Sequence, residues 1–115
     1  MSSNGGKRGH QSILFDVPTP LGFSVRCTKR YWQVISTEKH PSLKGKEKDI
    51  ITLLKAPEEV RKSRSDPNVV LFYGSMGKKR WLCAVTKKEN DIGFIVTAYP
   101  TDSIKIGEQV WKKSK

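Results

Sequence analysis

Three stretches of the sequence decide the fold: VVLFY at residues 69–73, WLCAVT at residues 81–86 and GFIVTAY at residues 93–99. Each stretch is short and rich in β-branched and aromatic residues, which is typical of a β-strand. The segments between them, residues 74–79 and 87–91, carry the Gly, Asn and charged residues that suit hairpin turns. The pattern therefore predicts three consecutive antiparallel strands.

Two helices are predicted before these strands. Thr28 has the side chain of an N-cap, and apolar residues follow it at helical spacing. Because Pro41 disfavours the helical conformation in the residue before it, this helix is expected to end near His40. Ser42 can cap a second helix, which Pro57 ends. The predicted fold class is α+β, with both helices on one face of an antiparallel sheet.

The remaining parts of the chain are less regular. Residues 1–11 are polar and basic and are predicted to be a disordered tail, so that residues 12–115 form a single domain. Apolar runs at residues 13–17 and 23–27 are bounded by Pro and Gly, and they predict an extra N-terminal β segment. Residues 101–111 fit either a strand or a short helix.

Composition limits the kind of partner. The 115 residues include 22 Lys and Arg against 11 Asp and Glu, a net charge of +11. This excess predicts a polyanionic partner, although charge alone does not separate nucleic acid from anionic lipid. The sequence has no apolar run of about 18 residues and no apolar signal segment, so a cytoplasmic protein without membrane association is expected. Cys27 and Cys83 are isolated, and the carboxylates are not clustered, so no metal site is predicted.

Several polar residues are candidates for chemistry. His40 is the only histidine in the predicted folded part, and imidazole suits proton transfer near neutral pH; a solvent-exposed turn histidine is an equally good interpretation. Strand alternation places Ile95, Thr97 and Tyr99 on one face of the sheet, within possible reach of Tyr73. The alternative for both tyrosines is an ordinary position at the rim of the core.

Basic residues form two further candidate sets. Arg64, next to Ser63, could hold two phosphate oxygens in its planar fork, or this segment could simply be a turn before Pro67. The run of Lys78, Lys79 and Arg80 directly before Trp81 either is a solvated loop or binds single-stranded nucleic acid.

Taken in order, these features resemble the phage and polymorphic-toxin nucleases of the BECR group, named for barnase, EndoU, colicin and RelE. The resemblance covers about residues 28–113 and depends on the following residues: Trp32, Ile35, Lys39-His40-Pro41, Pro57, Val60, Ser63, Tyr73, Thr97-Ala98-Tyr99, and Lys105-x-Gly107-x-x-x-Trp111.

The resemblance implies two N-terminal helices packed on a four-stranded antiparallel sheet, with the active site on the exposed sheet face. It also implies a metal-independent endoribonuclease without cofactors, which cleaves RNA by attack of the 2′-hydroxyl on the adjacent phosphorus. An acidic antitoxin or immunity protein is an expected partner besides RNA, since such a nuclease can be a toxin or phage-derived effector.

The resemblance also implies roles for individual residues. The expected catalytic residues are His40 for proton transfer, Arg64 for charge stabilisation, and Tyr73 and Thr97 for orienting the phosphate. The expected RNA-binding residues are Lys39, Ser63, Lys78, Lys79, Arg80 and Tyr99. Two other hypotheses remain: a non-catalytic RNA-binding module with the same basic surface, and a phage accessory protein that packs against DNA.

Overall fold

The computed structural model describes residues 12–104 and 107–114 of the chain. The described residues form one seven-stranded sheet. Its strands are β1 (Ile13–Pro18), β2 (Ser24–Thr28), β3 (Glu59–Lys62), β4 (Val69–Gly77), β5 (Arg80–Glu89), β6 (Ile92–Thr101) and β7 (Glu108–Lys112). The order across the sheet is β1-β2-β6-β5-β4-β3-β7. The predicted tail at residues 1–11 and Lys105 of the resemblance lie outside the described residues.

The predicted four-stranded antiparallel sheet is wrong. The described residues form seven strands, and β2 pairs with β6 in parallel, which makes the sheet mixed. The N-terminal hairpin joins the sheet where Val25 of β2 lies beside Gly93 of β6. Gly93 permits this pairing because a Cβ there would lie 2.8 Å from Cε1 of Phe23. At the other edge, residues 108–112 form a strand on β3.

The three strands that were predicted from sequence are confirmed. β4, β5 and β6 are consecutive and antiparallel, and they are longer than their apolar cores because both hairpin turns are tight. Lys79 and Asn90 have positive φ angles of 52° and 61°, as short hairpin turns require. These strands form the centre of the sheet and carry most of the candidate residues.

The helical region also differs from prediction. Thr28 caps the first helix as expected, because its hydroxyl accepts from the Tyr31 N–H at 3.1 Å. That helix has a short α-helical part, α1 (Lys29–Gln33), followed by a π-helical turn (Val34–Lys39). Ser42 does not cap the second helix. It lies in a 3₁₀ turn (Pro41–Leu43), and α2 (Glu47–Lys55) begins only after Gly45, whose φ is +80°.

The two faces of the sheet bury different side chains. The helix face packs against α1 and α2, and its fully buried residues include Ile35, Ile50, Leu54, Val60, Phe72, Ala84 and Ala98. The other face, called the tyrosine face below, carries Leu71, Tyr73 and Cys83 as a second buried cluster, with Val85, Trp81, Tyr99 and Ile104 packed against it.

A bulge in β6 corrects the predicted alternation. Val85 pairs with Thr97, whereas the next residue, Thr86, pairs with Ile95, so Val96 has no partner in the register. Because of this extra residue, the side chains of β6 before Val96 point to the opposite faces from those that simple alternation predicts. Ile95 therefore lies in the core of the helix face, while Thr97 and Tyr99 lie on the tyrosine face.

Candidate active site

The helix after β2 ends in a wide turn that carries His40 to the edge of the sheet. The backbone N–H of His40 donates to the Ile35 carbonyl, five residues back, at 2.8 Å. The hydroxyls of Ser36 and Thr37 donate to carbonyls four residues back, a pattern that tends to bend helices. Pro41 then stops the helix. Such π-helical turns are frequent at functional sites.

His40 lies against Tyr99 of β6. The two ring centroids are 5.9 Å apart, the ring planes are tilted by 44°, and both side chains are half-buried. β2 pairs with β6 only as far as Phe94, so the edge of β6 beyond that residue is left to the helical segment. The imidazole is therefore supported by one aromatic neighbour and remains accessible to solvent.

Lys39 is fixed beside His40 by the same strand edge. The Tyr31 hydroxyl donates to the Val96 carbonyl at 2.6 Å, and Lys39 Nζ donates to both oxygens, at 3.3 Å and 3.4 Å. The Lys39 ammonium also lies 5.5 Å from the centre of the Tyr31 ring, within cation–π range. A cation and an imidazole on consecutive residues thus lie along the edge of β6.

Tyr73, Cys83 and Tyr99 form one row across the tyrosine face. Their backbones are in direct register, with Cys83 between the two tyrosines. Burial raises the pKa of Cys83 to about 11 and that of Tyr99 to about 12, and it raises the pKa of Tyr73 as well. All three groups are therefore protonated at neutral pH. They can donate hydrogen bonds, but none of them is a thiolate or phenolate base.

Tyr73 and Thr97 differ in what they offer a substrate. Tyr73 is only 1% exposed, so its hydroxyl does not face solvent. The predicted contact of Tyr73 with a phosphate therefore has no support in its placement. Thr97 lies two residues from Tyr99 on the same face, and its buried Oγ1 has no hydrogen-bond partner among the described residues. A buried hydroxyl without a partner is uncommon in folded proteins, and this marks Thr97 as a candidate for a ligand contact.

Arg64 and Ser63 lie elsewhere. Both are in the loop between β3 and β4, where Arg64 is exposed and the Ser63 and Ser65 hydroxyls lie 3.1 Å apart. This loop leaves the sheet beyond Val69, four residues along β4 from Tyr73, which corresponds to about 13 Å of strand. The structure thus does not bring Arg64 to His40, because the loop from β3 to β4 lies beyond the Val69 end of β4.

Sequence reasoning missed a different guanidinium. Arg61 lies on the tyrosine face, where its Nε donates to Glu59 Oε2 at 2.7 Å and its Nη1 donates to the Gly107 carbonyl at 3.1 Å. Gln109 Nε2 donates to the same Glu59 oxygen at 3.0 Å. The available signal was the two-residue spacing of Glu59 and Arg61, which is that of one strand face. It is weak because β3 has only four residues.

The basic hairpin lies apart from Arg61 and Arg64. Lys78, Lys79 and Arg80 are exposed at the turn between β4 and β5, at the opposite end of the sheet from Arg64. Of the residues predicted to bind RNA, only Lys39 and Tyr99 lie with His40. Ser63 lies at one end of the sheet and the basic hairpin lies at the other.

A groove lies on the helix face of the sheet, beside α2. It has a volume of about 630 Å³ and lies between α2 and the β4–β5 hairpin, with Leu53, Met76 and Arg80 among its lining residues. Ser42 and Pro100 also line it, and they are close chain neighbours of His40 and Tyr99. Neither His40 nor Tyr99 lines the groove, and Pro100 lies on the helix face because it alternates with Tyr99 along β6.

Comparison of the chain with protein-family models, with curated proteins and with solved structures found no match. Within residues 12–104 and 107–114, no helix has the length and apolar character needed to span a membrane. In the same part of the chain, no three His, Cys, Asp or Glu side chains are grouped closely enough to bind a metal ion.

Proposed function

We propose that this protein is a metal-independent endoribonuclease whose active site is the end of the π-helical turn against β6. The observation that carries the proposal is the half-buried His40 imidazole at the end of the π-helical turn, supported by the Tyr99 ring at 5.9 Å. Lys39 precedes it and the unpaired Thr97 hydroxyl lies on the neighbouring strand. A net charge of +11 favours a polyanionic substrate.

The proposed chemistry needs only groups of this kind. His40 accepts the proton of a ribose 2′-hydroxyl, whose oxygen attacks the adjacent phosphorus. The bond from phosphorus to the 5′ oxygen breaks, solvent protonates that oxygen, and the products are a 2′,3′-cyclic phosphate and a 5′-hydroxyl. The Lys39 ammonium offsets charge on the phosphate oxygens, and Thr97 donates a hydrogen bond to one of them.

The other predicted residues take lesser parts in this proposal. Arg64 lies too far from His40 to share a phosphate with it, so it and Ser63 are assigned to contacts further along the RNA. Tyr99 positions the imidazole, and Tyr73 supports Tyr99 through Cys83. An acidic antitoxin or immunity protein is the proposed inhibitor, because complementary charge would speed and orient its docking on the basic surface.

A non-catalytic RNA-binding module is the second candidate. It is favoured by the placement of Lys78, Lys79 and Arg80, which are exposed and lie apart from His40. Such a protein would use these cations for affinity and would not cleave RNA at all.

The RNA products distinguish the nuclease from the non-catalytic RNA-binding module. Total RNA incubated with the purified protein in EDTA should give fragments that end in 2′,3′-cyclic phosphate and begin with 5′-hydroxyl. An oligonucleotide with a single 2′-deoxy substitution should resist cleavage at that position, because it lacks the nucleophile. Intact RNA after binding would contradict the nuclease proposal, and so would fragments with 5′-phosphate ends.

A further inference from the structure

A second hollow lies on the tyrosine face, and Glu58 lines both this hollow and the groove beside α2. It has a volume of about 720 Å³, and its lining includes Trp81, Ile104, Lys112 and Lys113. Small-molecule sites in proteins typically have volumes of about 300–1,000 Å³. The hollow is therefore large enough for a nucleotide, and none of the functions above uses it.

Trp81 gives this hollow a flat apolar wall. Its backbone pairs with Ser75 and Thr101, and its half-buried side chain packs against the cluster of Tyr73 and Cys83. The cluster holds one side of the indole, while the other side borders the hollow. A rigid, half-exposed aromatic ring is the type of surface on which an unpaired base stacks, and such stacking is insensitive to base identity.

The charges around the hollow suit a nucleic-acid strand. The Glu59 carboxylate is already neutralised by Arg61 at 2.7 Å, and Glu58 lies 4.0 Å from Lys113. Lys112 is exposed at the rim. Lys78, Lys79 and Arg80 come directly before Trp81, and all three are exposed at the turn between β4 and β5. Phosphates on either side of a stacked base would meet cations.

The hollow is also close to the proposed active site. Cys83 pairs with Tyr99, and Trp81 lies two residues from Cys83 on the same face, so Trp81 and Tyr99 are diagonal neighbours about 7–8 Å apart. His40 follows at 5.9 Å on the other side of Tyr99. The three rings thus lie along one path across the tyrosine face, which a short single strand can follow.

We infer that this hollow binds one base of a single-stranded nucleic acid by stacking on Trp81, with Lys112 and the basic hairpin on the flanking phosphates. A duplex is excluded because its bases are paired and already stacked, and none can enter a hollow without being released. Where the inference concerns cleavage, it rests on the proposed function and makes unpaired RNA the substrate.

Binding is tested with a probe that cannot be cleaved. The unmodified protein is titrated with 2′-O-methyl oligouridine of about ten nucleotides, a length within the site sizes of single-strand binders. A DNA oligomer of the same length and a blunt duplex are titrated in parallel. The indole N–H signals are followed by NMR, with Trp81→Phe used to assign the Trp81 signal. Both single strands should shift that signal, and the duplex should bind more weakly.

The matched variants are Trp81→Leu and Trp111→Leu. Trp111 is also half-buried, but it packs against the core of the helix face. Trp81→Leu should weaken oligouridine binding by about 10- to 100-fold, whereas Trp111→Leu should leave it unchanged. Lys112→Ala should make binding less sensitive to salt, with the slope falling by about one.

The outcomes separate this inference from the nuclease proposal. A Trp81 signal that does not move at saturation would overturn the stacking site even if RNA is cleaved, and so would a folded Trp81→Leu protein that binds like the unmodified one. Trp81-dependent binding without cleavage would support the stacking site and contradict the nuclease. If Trp81→Leu does not fold, the NMR titration of the unmodified protein decides alone.

Discussion

The two faces of the sheet are built from alternate residues of the same strands, yet they bury different chemistry. On the helix face, Phe72, Ala84 and Ala98 are fully buried and apolar, and the fully buried Thr86 donates its hydroxyl to the Val70 carbonyl at 2.9 Å. On the tyrosine face, the row of Tyr73, Cys83 and Tyr99 has two hydroxyls and a thiol, and the Thr97 hydroxyl beside it has no partner among the described residues.

This difference supports the proposed placement of the active site on the tyrosine face. Apolar residues would stabilise the tyrosine face at least as well, because a buried hydroxyl without a partner costs about 1–3 kcal/mol. The helix face has the composition expected if only stability mattered. The tyrosine face instead keeps polar groups beside His40 and Trp81, where a ligand could use them. Three stability predictions test the comparison, from the largest effect to the smallest.

The largest effect is expected at Gly107, which holds the chain against the β3 end of the tyrosine face. A Cβ at Gly107 would lie 2.5 Å from the Lys62 carbonyl oxygen, and its φ of +89° already disfavours other residues. Gly107→Ala should lower the free energy of unfolding by about 3 kcal/mol or more, as measured in urea.

Gly22→Ala is the matched control for this change. Gly22 has nearly the same φ, +90°, but a Cβ there would meet nothing within 4 Å. Its cost should be only about 1 kcal/mol, from backbone conformation alone. Equal losses in the two variants would show that Gly107 is not packed against β3.

An intermediate effect is expected at alkaline pH. In the unfolded chain a thiol ionises near its ordinary pKa of 9.0, whereas burial raises the pKa of Cys83 in the native protein to about 11. Between these values the native state keeps a proton that the unfolded state has lost, so stability falls as pH rises. Each such thiol contributes a loss of up to about 1.4 kcal/mol per pH unit.

Urea unfolding from about pH 8 to about pH 10.5 measures this slope. Cys83→Ala should flatten it by the share of one thiol, whatever its effect on stability at neutral pH. The pKa of Cys27, a thiol of the helix face, is raised to about 12 by burial, so Cys27→Ala should flatten the slope in the same way. A slope unchanged by Cys83→Ala would mean that this thiol is not buried on the tyrosine face.

The smallest effects should have opposite signs on the two faces. Thr86→Val removes a buried hydrogen bond from the helix face and should cost about 1 kcal/mol. Thr97→Val removes an unpaired hydroxyl and should leave the protein as stable or slightly more stable. The same Thr97→Val protein should cleave RNA more slowly, if the hydroxyl serves a phosphate. Equal destabilisation by both substitutions would remove the distinction between the faces.

Local patterns were enough to predict some parts of the molecule. The Thr28 cap, the helix end near His40 and strands β4 to β6 each depend on residues that are close in sequence. Thr97 and Tyr99 also share a face as alternation indicates. Ile95 does not share it, because the unpaired Val96 adds one residue to β6, and nothing in the local sequence marks that bulge.

Long-range pairing could not be predicted in the same way. The parallel pairing of β2 with β6 joins Val25 to Gly93, and the pairing of β3 with β7 joins Val60 to Trp111. Both pairs of residues are far apart in the sequence. Such pairings depend on side-chain packing between distant segments, as in the contact of the Phe23 ring with Gly93. The prediction of the site residues failed at Arg64 for the same reason. Arg64 has a suitable side chain, but strand pairing places Arg61 on the tyrosine face.

The central claim is that His40 performs proton transfer in RNA cleavage, and a single-turnover rate measurement tests it most directly. His40→Ala and His10→Ala each remove one of the two histidines of the chain. In EDTA, with excess enzyme and folding checked by NMR, His40→Ala should slow cleavage by about 10²- to 10⁴-fold while RNA binding persists. His10→Ala should cleave at the unmodified rate. A folded His40→Ala protein that cleaves as fast as His10→Ala would contradict the account.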